Sequence, residues 1–308
     1  MNRKTGMRYA LALLLMIVIM AGWCTVFFVR GLIGAAAWWF MIGFSFVGIA
    51  IGVVSVIVLI RHIWLKRSVK RLWFLVLVLS FVAASPIGVL LGIWPAAYSA
   101  DMDSAKPNAT VRLPFREAAI TGWGGDDLKH NQHALWPMER WAYDFMMGPA
   151  LTGSKRLEDY GIFGADVLAP ASGTIVGVYD EEEDQRPGNE DYKTMQGNYV
   201  YLKMDSTGTY LVMAHLKQGS VTVKEGQHVN EGDLLAQAGN SGASSEPHLH
   251  LHHQRQDPSK ASMFLTEGLP LFVRDVKGPS MPKGGVEVIG GRKVLIGDVL
   301  TPLEASKE

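Results

Sequence analysis

The sequence is poor in cysteine, and its first third lacks acidic residues altogether. Cys24 is the single cysteine among 308 residues. That excludes a disulfide scaffold and any thiolate zinc cluster. No excess of positive charge exists: 29 Lys+Arg meet 29 Asp+Glu, which excludes a nucleic-acid binder with a basic face. Disorder is excluded because 48% of the residues are hydrophobic. The neutral total hides a partition. None of the 29 acidic residues precedes position 101. Nine basic ones do: Arg3, Lys4, Arg8, Arg30, Arg61, Lys66, Arg67, Lys70 and Arg71. The rest of the chain holds twenty basic residues against 29 acidic ones. A +9 part therefore precedes a −9 part, which is the pattern of a two-part protein.

Charge is also missing from three long apolar runs, Tyr9 to Val29, Gly31 to Ile60 and Leu72 to Ala100. About 20 helical residues cross a hydrocarbon core, so each run predicts one transmembrane helix. The expected spans are 9–29, 33–60 and 72–97, within a membrane domain of residues 1–100. The N-terminus and the connection from Arg61 to Arg71 carry most of the Lys and Arg. The positive-inside rule places both in the cytoplasm and the C-terminal part outside the bacterial cytoplasmic membrane, in a periplasmic or extracellular position. Pro86 predicts a kink in the third span. The first run is too long for a cleaved signal peptide and lacks a small-x-small site. Trp23 directly before Cys24 argues against lipid processing there, so Cys24 reads as an apolar membrane residue. The span interiors contain no Asp, Glu, Lys or Arg, so they read as an anchor in the lipid bilayer rather than a transport path.

From Asp101 to residue 308 the pattern changes to short alternating segments bounded by Gly, Asn, Asp and Pro. The expected strands are Val167–Leu168, Thr174–Tyr179, Tyr199–Lys203, Tyr210–His215, Leu234–Ala238 and His248–His252. A hairpin of Val286–Ile289 with Lys293–Ile296 is expected around Gly290-Gly291. Gly226 and Gly232 bracket another short strand. The fold class is an all-β, antiparallel sandwich or barrel-like domain. The acidic run from Asp180 to Asp191 reads as a solvated loop, with a calcium or cationic-substrate site as the lesser reading.

Histidines carry the chemistry. His130 and His133 lie together, and His248, His250, His252 and His253 surround one strand. With a period of two, His248, His250 and His252 share one face and Leu249 and Leu251 the other. Leucines facing a core would hold the imidazoles toward a cleft, on a strand that begins after Pro247. Imidazole and carboxylate are the zinc ligands left when thiolates are absent, and a catalytic site needs three protein ligands plus an open position. His250 and Asp144 are the first two candidates. Zinc would bring the pKa of a bound water toward about 7. A strand of buried histidines without metal is the plainer reading, and unpartnered imidazoles make it costly.

These residues resemble the lysostaphin/LytM-type zinc metallopeptidases, peptidase family M23, of the duplicated-hybrid-motif fold. The resemblance is carried by Pro247-His248-Leu249-His250 after Gly239-Asn240-Ser241-Gly242, by Ala214-His215-Leu216, and by the turns at Ala169-Pro170-x-x-Gly173 and Gly226-x-x-Val229-x-x-Gly232. It covers about Val111 to Gln254. It implies zinc on Asp144 and His250, with His215 and His248 as catalytic residues that orient water and stabilise the oxyanion. One position departs from the family pattern: Arg140 stands four residues before Asp144, where the family has a zinc-binding histidine. A guanidinium cannot ligate zinc. His133 is the expected replacement as third ligand, ahead of His130. A branch of the family with an Asn-x-His segment before an Arg-aromatic-Ala-x-Asp-Phe strand looks similar.

The resemblance and the outward topology together imply a membrane-anchored zinc endopeptidase, with one Zn2+ per chain, acting on peptidoglycan peptide crosslinks. The rivals are a catalytically inactive fold-mate that binds cell wall or activates another wall hydrolase, and a lipoyl-like carrier. The carrier reading lacks an exposed Met-Lys-Met-type turn and leaves the histidines unexplained.

Overall fold

The computed structural model describes residues 3–69, 71–93, 95–189 and 191–303. Lys70 of the basic set and Glu190 of the acidic run lie outside the described residues. The chain divides into two compact units, Met1–Ser99 and Ala100–Glu308.

The first unit is helical: α1 Arg3–Phe28, α2 Gly31–Trp64, α3 Arg71–Ala84 and the short α4 Ile87–Leu90. Three stretches are long and apolar enough to cross a membrane, Tyr9–Phe28, Gly31–Trp64 and Arg71–Leu90. Large apolar side chains such as Phe46, Ile57 and Phe81 are exposed along them. A hydrocarbon environment accepts such surface and water does not. Helices α2 and α3 touch at Gly48, where a Cβ would meet the Ala84 nitrogen at 2.5 Å. Small residues at such crossings let two backbones approach closely. Among the described residues the third apolar helical stretch runs to Leu90. Pro86 removes a backbone donor after Ala84 and divides α3 from α4. Gly92 then takes a left-handed conformation (φ +64°) that closes the helix.

The second unit is mostly antiparallel β. Its strands are β1 Ala109–Arg112, β2 Ala119–Trp123, β3 Tyr143–Met146, β4 Asp166–Leu168, β5 Gly173–Tyr179, β6 Asn198–Met204, β7 Tyr210–Leu216 and β8 His228–Val229. There follow β9 Leu234–Gln237, β10 Leu249–Gln254, β11 Gly268–Leu269, β12 Leu271–Arg274, β13 Val276–Lys277, β14 Val286–Ile289, β15 Arg292–Leu295 and β16 Val299–Pro302. The main sheet runs β13-β16-β2-β3-β10-β7-β6-β5-β8, with β11 added on β10. This order has two ends among the described residues, so the sheet is open; the expected antiparallel β class holds and no closed barrel is needed. The short pairs β4–β9 and β1–β12 form separate sheets, the latter parallel.

One face of the main sheet builds the core. Phe145 on β3, Leu202 on β6, Leu211 and Met213 on β7, and Leu249 and Leu251 on β10 pack with Val167 and Leu235 of the β4–β9 pair. Each buried side chain of this size contributes roughly 1.5–3 kcal/mol. The alternation on β10 then turns His250 and His252 to the opposite face. In that register His250 lies opposite Asp144 of β3 and Ala214 of β7. The strand pairing therefore assembles residues more than a hundred positions apart.

Two expectations need revision here. The β14–β15 hairpin closes with Ile289 opposite Arg292, so its second strand begins one residue earlier than Lys293. Gly290 and Gly291 (φ +59° and +79°) supply the two positive φ angles that such a two-residue turn requires. The acidic run is only partly solvated. Glu182 is 1% exposed and accepts from the Lys193 N–H and the Thr194 hydroxyl, both at 2.8 Å. Asp184 accepts from the Asn240 N–H at 2.6 Å and Asp180 from the Val221 N–H at 3.1 Å. These acids tie the loop to the segment that holds the site; Glu181 and Glu183 alone face solvent in the stretch 181–183.

Candidate metal centre

Five side chains named from the sequence converge on one cavity of about 490 Å³: His133, Asp144, His215, His248 and His250. Asp144 is central. Its Oδ1 is 3.0 Å from His250 Nδ1 and 3.7 Å from His248 Nε2, and its Oδ2 is 3.5 Å from His133 Nε2. One ligand atom each from His133, Asp144 and His250 lies within 4.8 Å of the others, and all three residues are buried.

The hydrogen bonds behind these atoms fix which nitrogen is free. Asn131 donates its amide to the carbonyls of Gly125 (2.9 Å) and Ala142 (3.2 Å), so its Oδ1 is left to accept. It accepts from His133 Nδ1–H at 3.1 Å, leaving His133 Nε2 bare toward Asp144. A longer chain sets His250. The Gln256 carbonyl accepts from Gln254 Nε2 at 2.7 Å, so Gln254 Oε1 must accept from His252 Nε2–H at 2.9 Å. His252 Nδ1 is then bare and accepts from His250 Nε2–H at 2.8 Å. With Nε2–H committed to His252, His250 Nδ1 is the atom that meets Asp144 Oδ1 at 3.0 Å; protonated it donates to the carboxylate, and without that proton it can ligate a metal. Glu139 adds a carboxylate oxygen 3.6 Å from the same His250 Nε2. Such partners orient metal-ligating imidazoles and raise their basicity.

His215 and His248 form a second pair, their rings 4.7 Å apart. His215 Nδ1–H donates to the Ser241 carbonyl at 2.8 Å, and His248 Nδ1–H to the Glu246 carbonyl at 2.8 Å. Both Nε2 atoms are bare. His215 reaches this position from a left-handed backbone (φ +61°) beside a register shift between β6 and β7. A non-glycine residue in that region costs on the order of 1–3 kcal/mol and marks functional positions.

Electrostatics follow from burial and from Asp144. Burial opposes ionisation of Asp144, yet His133, His248 and His250 hold its carboxyl well below the usual carboxylate range. Burial pushes His215 well below its ordinary value and lowers His133. Burial acts the same way on His250, but the Asp144 carboxylate outweighs it and raises that imidazole. The centre thus offers one charged oxygen, a His133 that burial keeps neutral, and a His250 whose proton is held by Asp144 and would be displaced by a metal.

Arg140 and His130 stay out of this cluster. Arg140 is 4% exposed and donates to the Asp126 carbonyl at 2.8 Å, with its carboxylate at 3.0 Å. Asp126 also accepts from Trp141 Nε1 at 2.7 Å. The arginine clamps the loop that precedes β3. His130 is paired with Asp127 at 2.8 Å, at the surface.

The sequence reading missed Asn131, Glu139, Ser241 and the His252–Gln254 chain as supports. The spacing His250-x-His252-x-Gln254 on one strand face was the available signal for the last of these. Replacing Asn131 by alanine is expected to lower metal affinity about 10–100-fold, as losses of such supports do. Competition titration with a chromophoric chelator on full-length chain measures it, and unchanged affinity contradicts the tautomer assignment.

Residues 159–261 match the model of peptidase family M23. The β unit has the M23 peptidase fold. The matched segment contains His215, His248 and His250, while His133 and Asp144 precede it. Among solved structures, the catalytic domain of the antimicrobial peptidase lysostaphin from Staphylococcus simulans is 21% identical with a TM-score of 0.30, over 49% of this chain and 86% of that one. A zinc-containing peptidase from Vibrio cholerae is 24% identical with a TM-score of 0.28, over 46% of this chain and 33% of that one. A Pseudomonas aeruginosa chain described as a candidate peptidase M23 is 17% identical with a TM-score of 0.27, over 46% and 44%. This chain therefore spans less than half the length of the Vibrio and Pseudomonas chains.

Proposed function

We propose that the protein is a membrane-anchored zinc endopeptidase that hydrolyses peptide crosslinks of peptidoglycan outside the bacterial cytoplasmic membrane. The observation that carries this reading is the convergence of two imidazole nitrogens and a buried carboxylate beside a second histidine pair. Two nitrogens and one oxygen, with no thiolate, suit zinc, and three protein ligands leave a position open. His133 through Nε2, His250 through Nδ1 and Asp144 would hold the ion. The chemistry supplied by Zn2+ when bound is Lewis acidity toward the scissile carbonyl and the attacking water.

The remaining work falls to protein atoms. The Ser241 and Glu246 carbonyls keep Nδ1 protonated on His215 and His248, so each Nε2 can take a proton from the attacking water. Depression of His215 by burial keeps that imidazole neutral at neutral pH, as an acceptor must be. Once protonated, the same nitrogen donates to the developing oxyanion or to the leaving amine. Amide and water become a carboxylate and an ammonium.

His248→Ala separates chemistry from metal binding. The variant is expected to retain zinc and to lose about 10²–10³ in the rate at which full-length chain releases amino groups from purified peptidoglycan. A variant as active as the parent removes His248 from the mechanism. For sidedness, a reporter fused after residue 110 should be active outside the cytoplasm, because the basic residues of the first unit cluster at its N-terminus and between Arg61 and Arg71. Reporter activity in the cytoplasm refutes both the orientation and the wall substrate.

A further inference from the structure

The cavity at the metal centre shares part of its wall with a neighbour. Leu151, Ser245, Glu246 and Lys293 line it and also line a second, larger cavity of about 840 Å³. Three cations surround this second space: Lys155, Arg292 and Lys293. All three are exposed. Among the described residues, none of them lies within 4.0 Å of a carboxylate oxygen. Lys155 Nζ donates to the Pro187 carbonyl at 2.8 Å, which holds the ammonium at the cavity without neutralising it.

Among the described residues, Glu246 is the one carboxylate lining this space. It already accepts from the Leu151 N–H at 3.0 Å, and burial raises its proton affinity. The cavity is thus a positive site on a unit whose acidic residues outnumber its basic ones, 29 to twenty. Its wall is the β14–β15 hairpin: β15 supplies Arg292 and Lys293, while Val286 and Val288 of β14 face the metal centre. A single element therefore joins a cationic pocket to the site of hydrolysis.

We propose that this second cavity binds a free carboxylate on the peptide substrate, close in sequence to the cleaved amide. The protein then prefers an anionic peptide over the same peptide as its carboxamide. This places a substrate class on the site argued above and rests on that reading for the position of the cleaved bond. Binding of the carboxylate itself does not require cleavage. Arginine and lysine recognise carboxylates through charge-assisted hydrogen bonds that a neutral amide accepts more weakly.

Fluorescence anisotropy on full-length chain in detergent, with a chelator present to prevent hydrolysis, tests the proposal. The probes are two labelled peptides that differ only in carboxylate against carboxamide. The carboxylate peptide is expected to bind about tenfold more tightly, with the gap narrowing at high salt. Arg292→Gln with Lys293→Gln should bring the two affinities within about twofold, and Arg292→Lys should keep most of the preference. An unchanged thermal transition shows that the exposed hairpin positions carry no folding role. Equal affinities in the parent, no binding of either peptide, or a preference that survives the double substitution overturns the proposal. Hydrolysis of the same pair by zinc-loaded chain is read separately. Preferential binding without cleavage of either peptide refutes the peptidase reading and leaves the carboxylate site standing.

Discussion

Replacing His133 by alanine is expected to lower zinc affinity more than about a hundredfold and to reduce crosslink hydrolysis to background, while His130→Ala changes neither. The scale is set by comparison: loss of a supporting partner costs roughly 10–100-fold, and removing a ligand costs more. The two histidines are three residues apart, so the contrast turns on structure. His133 is 7% exposed, has its Nδ1 held by Asn131 and points Nε2 at Asp144 from 3.5 Å. His130 is engaged by Asp127 at the surface. Arg140→His is a complementary probe. The guanidinium is committed to Asp126, so a histidine placed there costs the clamp and competes with His133 for the ion. Zinc retained in full by His133→Ala contradicts the ligand assignment.

The second large effect lies on the core side of β10. His253 is 1% exposed; its Nδ1–H donates to the Pro270 carbonyl at 3.1 Å and its Nε2 accepts from the Thr209 hydroxyl at 2.6 Å. Burial pushes this imidazole down to about 4, from an ordinary value of 6.5. Between those values the unfolded chain takes up a proton that the folded chain refuses. The stability contributed is complete above pH 6.5 and is lost as pH falls toward 4. A shift of this size corresponds to about 3 kcal/mol. His253→Gln keeps a partner for Thr209 and cannot titrate. Chemical unfolding of full-length chain at pH 7 and pH 4 should show the parent losing about 3 kcal/mol more than this variant. Equal losses in the two proteins contradict the account of a neutral buried His253.

Much of this protein is legible in its sequence. The three uncharged runs, the strand that carries alternating histidines and leucines, and the glycine turns each follow from a local pattern with one dominant cause. Where two causes compete, the sequence misled. Apolar character continues to residue 97, while Pro86 and Gly92 end the regular helix at Leu90. Net charge suggested a solvated run after Asp180, yet Glu182 and Asp184 find unpaired backbone N–H groups and turn inward. Strands such as Ala119–Trp123 and Leu271–Arg274 are four or five residues long, and the turn residues beside them, Gly124-Gly125 and Pro270, do not say which strand each pairs with. They are stabilised by pairing with distant strands, which no local pattern reports.

The candidate site divides in the same way. Histidine spacing pointed to β10, and Asp144 with His133 came from a resemblance and a vacancy at Arg140. Their supports are tertiary: Asn131 acts through the carbonyls of Gly125 and Ala142, and the tautomer of His250 is settled at the Gln256 carbonyl. Such chains are closed by hydrogen-bond directionality, which becomes readable only with positions in hand.

The most direct test of the central claim is metal analysis of full-length chain purified in detergent, paired with hydrolysis of purified peptidoglycan by the same preparation. The account predicts about one zinc per chain, as a single three-ligand site requires, and crosslink cleavage that a chelator abolishes and added zinc restores. Chain that takes up no zinc when it is supplied, and that leaves the crosslinks intact, contradicts it.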